Sequence, residues 1–299
     1  MTVPVSRKAT TGNPPSGYRL PAETRVGAVR LQVADLDRSL PYYEQVIGLA
    51  LLDRAGGAAF LGADPSRPLV ELYEHPGVAP VPRRGRLGLY HYAILLPDRP
   101  ALGRFVRHLT DLDVRAGMSD HLVSEAVYLN DPDGLGIEVY ADRPRESWQY
   151  VDGQLVMDTC PLDLNGLLDA SGSTQWTGMP HQTVIGHVHL HVGDLVHAEA
   201  FYHVGLGFDK TVWSYPGALF MSAGGYHHHL GVNTWASGAP STTEQDARLL
   251  EWELVVPTSA DARTALDSAA VTGAPRDPRG GGGVVRDPWG TAVSVRPAR

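Results

Sequence analysis

The chain opens its ordered pattern with V-G-A-V-R-L-Q-V at residues 26–33, where apolar residues alternate with Arg30 and Gln32. The same alternation returns in I-G-H-V-H-L-H-V at 185–192, with His187, His189 and His191 in the polar positions. Period-two alternation is the signature of a half-buried strand, whose alternate side chains share a face. Each of these strands runs into Asp-Leu, a helix start, then an aromatic pair (Tyr42-Tyr43, Phe201-Tyr202), then Gly-Leu or Gly-Phe. A second repeated pair is Y-L-N-D-P-D-G-L-G-I-E-V-Y (128–140) and V-V-R-D-P-W-G-T-A-V-S-V (284–295), each a strand, an Asp-Pro-x-Gly turn and a strand.

These internal repeats predict four modules of the form strand, helix, three strands, at residues 26–74, 86–142, 185–236 and 248–297. One such module has an apolar sheet face that it cannot bury alone. The expectation is therefore an α+β protein with four βαβββ modules paired into two barrel-like domains. Residues 1–25 read as an N-terminal tail. Residues 143–184 read as a linker, but Trp148, Trp176 and an L-x-L-x-x-L-L run predict that it packs. Loops are expected at 75–85 and 237–247.

Composition narrows the partners. The net charge is −8, and no Lys/Arg run goes beyond a pair such as Arg83-Arg84, so neither nucleic acid nor an anionic membrane is expected to bind. Cys160 is the sole cysteine, which excludes an intrachain disulfide and fits a reducing, cytoplasmic setting. Residues 1–24 lack the apolar core of a signal peptide, and no apolar run is long enough for a transmembrane helix.

Eight of the thirteen histidines lie between His187 and His229, in I-G-H-V-H-L-H-V and in Y-H-H-H-L-G-V at 226–232. Both packets are read as strands. Imidazoles stacked on one strand face suggest a metal or proton-transfer site more than a core.

The modules resemble those of the vicinal oxygen chelate superfamily, which includes glyoxalase I, bleomycin-resistance proteins and extradiol dioxygenases. The four-module, catechol 2,3-dioxygenase-like members are the most similar. The resemblance covers most of 26–297 and rests on G-L-Y-H-Y-A-I-L-L-P (88–97), S-D-H-L-V-S-E-A-V-Y-L-N-D-P-D-G (119–134), I-G-H-V-H-L-H-V and G-G-Y-H-H-H-L-G-V-N-T-W (224–235). It implies Fe(II), with Mn(II) accepting the same ligands, held by two His and one Glu. Three ligands on one face leave room for a small aromatic catecholate and O2.

In that pattern the first-strand ligand position falls on Ala28, His91, His187 and Glu251, and the last-strand position on Glu138 and Ser294. Modules three and four would offer His187, Glu251 and Ser294, a poor iron site, and in module one Ala28 offers nothing. Only modules two and three together supply His91, Glu138 and His187. The resemblance therefore implies that these two form the metal barrel and that modules one and four form a metal-free one. It also implies an acid–base histidine in the 227–229 packet, with His228 favoured over His229, and substrate-side roles for His121 and Tyr128. Trp213, Tyr215 and Trp235 are candidates for an apolar wall. His189 and His191 are expected to support the site or lie at the surface.

The rival readings are a glyoxalase-like isomerase or resistance enzyme, a drug-sequestering protein of the bleomycin-resistance type, and a dioxygenase relative with a non-catechol substrate. The sequence leaves association into a homo-oligomer open.

Overall fold

In the computed structural model, residues 12–82 and 85–298 are described. Arg83-Arg84 and residues 1–11 of the predicted tail lie outside them. Four βαβββ units follow one another. The first holds β1 (Arg25–Val33), α1 (Leu36–Pro41), β2 (Ala50–Ala55), β3 (Ala58–Gly62) and β4 (Val70–Glu74). The second holds β5 (Gly88–Leu95), α2 (Arg99–Asp111), β6 (Gly117–Asp120), β7 (Ser124–Asn130) and β8 (Gly136–Asp142). The linker contains the hairpin β9 (Tyr150–Val151) and β10 (Gln154–Leu155), then α3 (Leu164–Ala170). The third unit holds β11 (Val184–His191), α4 (Leu195–Ala198), β12 (Asp209–Val212), β13 (Ala218–Ser222) and β14 (Leu230–Asn233). The fourth holds β15 (Arg248–Val256), α5 (Ser259–Ala270), β16 (Arg276–Arg279), β17 (Gly282–Arg286) and β18 (Ala292–Pro297).

The units pair into two eight-stranded sheets. One runs β16-β17-β18-β15-β1-β4-β3-β2 and joins units one and four. The other runs β12-β13-β14-β11-β5-β8-β7-β6 and joins units two and three. At each centre two first strands meet antiparallel, β1 with β15 and β5 with β11, and each is flanked by the last strand of its own unit in parallel. The apolar half of each alternating strand is buried, as with Val29, Leu31 and Val33 or Val188, Leu190 and Val192. The polar half faces the inside of the curl.

The repeated motifs have one structural purpose. In units one and three the helix ends in π-type turns, Tyr42–Ile47 and Glu199–Gly205. The hydroxyl of Tyr43 donates to Asp131 at 3.0 Å, and that of Tyr202 to Asp287 at 2.9 Å. Both acceptors open an Asp-Pro-x-Gly turn, and each also caps backbone N–H groups of its own turn. A buried carboxylate is tolerated only when it is fully hydrogen-bonded, and these two are.

The linker packs, as Trp148 and Trp176 suggested. Trp148 is buried against Tyr226, Trp176 stacks on His108, and α3 lies on α2 so closely that a Cβ on Gly103 would meet the Leu167 carbonyl at 2.4 Å. The tail packs as well, with Leu20 buried and Arg19 paired to Asp209 at 2.6 Å.

The strand predicted over 226–232 starts late. Residues 226–229 form an irregular loop, and β14 begins only at Leu230. Gly224 and Gly225 turn the chain with φ of 62° and 69°, a left-handed conformation open to glycine. The next three residues then spend their polarity on side-chain contacts instead of a ladder. No helix among the described residues is long and apolar enough to cross a membrane.

Candidate metal centre

Three strands of the second sheet bring His91 (β5), Glu138 (β8) and His187 (β11) together. The register explains how. Ala93 of β5 lies opposite His187 on one side and opposite Glu138 on the other. A methyl group at this central position leaves the space above it to the neighbouring side chains. His91 precedes Ala93 by one inward-facing position and completes the group. All three are buried, and one ligand atom from each lies within 4.8 Å of the others. Glu138 Oε2 is 3.1 Å from His187 Nε2 and 2.9 Å from His91 Nε2.

The His91 contact is close but not aligned, and Nε2 has no hydrogen-bond partner. The His91 nitrogen is therefore left without a hydrogen bond inside a cluster of atoms that can ligate a cation. The Nδ1 of His187 is also buried without a partner among the described residues.

The electrostatics suit a cation. Burial works to raise the Glu138 carboxyl, yet His187 and His91 outweigh it and hold the carboxyl well below its ordinary range. Burial pushes the His187 imidazole down to about 4. The state at neutral pH is a carboxylate beside a neutral imidazole, the form in which both bind metal. Among the described residues no Lys or Arg reaches Glu138.

The first sheet offers the contrasting case. Ala28, His91, His187 and Glu251 each stand the same distance before a helix N-cap (Asp35, Asp98, Asp194, Thr258). Arg30 is the register equivalent of Ala93, and Arg30 pairs with Glu71 as Ala93 pairs with Glu138. Sequence reasoning missed Glu71, which stands where Glu138 stands in the other sheet. Arg30 carries the charge there: its guanidinium bonds to Glu71 at 2.7 Å, to Glu251, and to Glu253 at 3.2 Å. One barrel holds its inward carboxylates with a guanidinium. The other gives its inward carboxylate two imidazoles and no fixed cation.

A cavity of about 230 Å³ opens over His91, Glu138 and His187. His228, His121 and Tyr128 all line it, as do Tyr215, Phe220 and Trp235. Trp213 does not: it is 36% exposed, and its backbone N–H is tied to Gln154 on the linker. His229 does not line the cavity either; its Nδ1 accepts from the Ala223 N–H and its ring packs on Tyr226. His189 is buried and faces the cavity, with Nε2 accepting from Asn233 at 3.0 Å, while half-buried His191 donates to the same Asn233 at 2.7 Å. Gly231 gives the His189 ring its space, since a Cβ there would lie 3.0 Å from it.

Two hydrogen-bonded chains reach the cavity. Tyr128 donates to His121 Nε2 at 2.6 Å, and His121 Nδ1 donates to the Asp158 carbonyl at 2.8 Å. Burial, then the nearby Glu138 charge, raise the Tyr128 hydroxyl well above its usual value, so it keeps its proton. In the second chain His227 Nε2 contacts Asp142 at 2.9 Å and His227 Nδ1 contacts His228 Nδ1 at 2.7 Å. Sequence reasoning placed His227 in the 227–229 packet without a role of its own, and did not foresee Asp142 or the linker residues Met157, Asp158 and Thr159 in the cavity wall. The linker is held there by the Asp120–Cys160 bridge, for which the sequence carries no periodic signal.

A protein of Bacillus subtilis (strain 168) named catechol-2,3-dioxygenase is 47% identical to this chain over 237 residues, 78% of this chain and 83% of the relative. The family model described as the Glyoxalase/Bleomycin resistance protein/Dioxygenase superfamily matches residues 25–139. The chain belongs to this superfamily. Solved structures show the same fold. A putative dioxygenase from Bacillus subtilis aligns with a TM-score of 0.66 at 13% identity, covering 94% of this chain and 86% of its own. Glyoxalase I from Zea mays aligns with a TM-score of 0.53 at 19% identity, covering 91% and 92%. On this fold, the chain gathers two inward His residues and an inward Glu on the sheet built from units two and three.

Proposed function

We propose that the protein is an extradiol ring-cleaving dioxygenase that opens a catechol-type ortho-dihydroxy aromatic with O2, using Fe(II) held by His91, Glu138 and His187. Mn(II) is accepted by the same donor set. The observation that carries this reading is the buried Glu138 carboxylate: it stands between two imidazoles with no Arg or Lys within reach, and the equivalent Glu71 is matched by Arg30. An uncompensated buried charge is costly, and a divalent cation removes that cost. The catechol-2,3-dioxygenase relative supports the substrate class. A reducing, cytoplasmic setting suits both Fe(II) and the free Cys160.

The bound cation would supply Lewis acidity toward the two ring oxygens and a site for O2 beside them. The rest is the work of side chains. Tyr215, Phe220 and Trp235 offer the ring an apolar wall. His228 takes a proton from the substrate hydroxyl through its cavity-facing nitrogen. The Tyr128 hydroxyl, held by its donation to His121, accepts a hydrogen bond from a substrate hydroxyl.

Anaerobic reconstitution with Fe(II), metal analysis and oxygen uptake with catechol test this reading. One equivalent of metal and a yellow ring-opened product are expected. A protein that binds no metal, or binds it and consumes no oxygen with any catechol, would overturn it. The drug-sequestering alternative predicts tight ligand binding without metal, and the isomerase alternative predicts turnover without O2.

A further inference from the structure

Arg30 also lines a second cavity, of about 420 Å³, on the sheet built from units one and four. Arg30, Arg248, Arg279 and Arg286 face this cavity, opposed in its wall by the Glu251 carboxylate. Two of the four guanidinia are matched. Arg30 is bonded to Glu71, Glu251 and Glu253, and Arg279 contacts Glu251 at 3.2 Å and Asp277 at 3.0 Å.

The other two are not. Among the described residues, Arg248 and Arg286 make no ion pair, and the only side-chain partner of Arg286 is the Gly290 carbonyl at 3.0 Å. The Nε of Arg248 is shut off from solvent and has no hydrogen-bond partner. A buried N–H of this kind is costly to leave unmade, and a guanidinium fork is shaped for two oxygens of one anion. Thr242 and Thr291 add hydroxyl-bearing side chains to a wall that is mainly polar. All this occurs in a chain of net charge −8, so the basic character is local.

We propose that this cavity is a binding site for a small, multiply charged oxyanion of the phosphate or dicarboxylate type, clamped between Arg248 and Arg286. The wall is too polar to favour an aromatic ring. The site is distinct from the candidate metal centre: it lies in the other sheet and shares none of the metal centre's lining residues.

Titration calorimetry on the metal-loaded protein tests the proposal, with inorganic phosphate in one arm, succinate in another, and sodium chloride at equal ionic strength as the control. Saturable one-to-one binding of phosphate, succinate or both is expected, with none for chloride. Which arm binds more tightly identifies the anion's source class. Arg248→Met and the more exposed Arg286→Met should each weaken binding by about tenfold or more. Arg67→Met, in a different cavity of the same barrel, should leave it unchanged. No saturable heat in either arm would overturn the proposal. So would binding that survives both arginine substitutions, or binding that is lost instead in His91→Ala, which would place the anion at the metal.

Discussion

The Nδ1 atoms of His227 and His228 lie 2.7 Å apart, and only one of them can carry the proton between them. Asp142 decides which. Its carboxylate accepts from His227 Nε2 at 2.9 Å, so His227 Nδ1 is left as an acceptor and His228 Nδ1–H donates to it. His228 then presents an unprotonated Nε2 to the cavity, the tautomer a general base requires. Burial, followed by the neighbouring imidazoles, pushes His228 well below its ordinary value and keeps it neutral.

His228→Phe should retain metal and lose turnover by about 10²–10⁴-fold, the usual reach of general acid–base catalysis. Asp142→Asn should produce a smaller loss in kcat, an altered pH profile and little change in KM, because it releases the tautomer without removing the base. Steady-state kinetics across pH check both. Full turnover in His228→Phe would move the acid–base role elsewhere in the cavity.

Glu138→Gln keeps the shape of the side chain and removes its charge. Metal content should fall to background, while the wild-type protein should gain about 2.7 kcal/mol of stability at a metal concentration 100-fold above Kd. Thermal unfolding with and without Mn(II), together with metal analysis, reads both effects. A Glu138→Gln protein that binds metal as tightly as the wild type would remove Glu138 from the ligand set.

The alternation in residues 26–33 and 185–192 made the strands legible, and the Asp-Leu and Asp-Pro-x-Gly repeats made the four units legible. These are local signals whose physical causes, strand pleat, helix cap and tight turn, act over a few residues. The bend at 226–229 was not legible, because a His-rich run has no strand alternation to lose, and the Gly-Gly turn before it acts through backbone geometry. Glu71 was overlooked because its importance depends on pairing with Arg30 across a parallel register. Asp142 acts on the cavity through His227 and His228, and the linker residues Asp158 and Thr159 join its wall, by tertiary contacts that no spacing rule describes.

Among the described residues, Arg30 is the one cation bonded to Glu71, Glu251 and Glu253 together, and Glu253 is further bonded to Arg296 and to the Ala28 N–H. Arg30→Met should cost about 3–5 kcal/mol, mainly because it leaves the buried Glu71 without a cation, while Glu251 keeps Arg279 and Glu253 keeps Arg296. The metal content of the other barrel should not change. Urea unfolding and metal analysis check this. A loss below about 1 kcal/mol would mean that water replaces the guanidinium at little cost.

Four buried imidazoles make the metal-free protein acid-labile in a defined window. Burial pushes His187 to about 4 and His229 to about 3, and holds His189 and His228 well below their ordinary value. In the unfolded chain each titrates near 6.5. Between that value and the folded values the unfolded state binds more protons, so stability rises with pH. The contribution is complete above about 6.5 and drains away as pH falls toward about 4. Each histidine adds a slope of about 1.4 kcal/mol per pH unit, or about 5.5 for the four together once all are protonated only in the unfolded chain. Glu138 loses its own contribution only at lower pH, because its carboxyl is held below the usual range. Urea midpoints measured on chelator-treated protein from pH 8 to pH 5 should be flat at the alkaline end and then fall steeply. A curve that stays flat down to pH 5 would mean that these imidazoles are solvated or protonated in the folded state. Adding metal should move the acid limb, because a proton and a cation compete for the same nitrogen of His187.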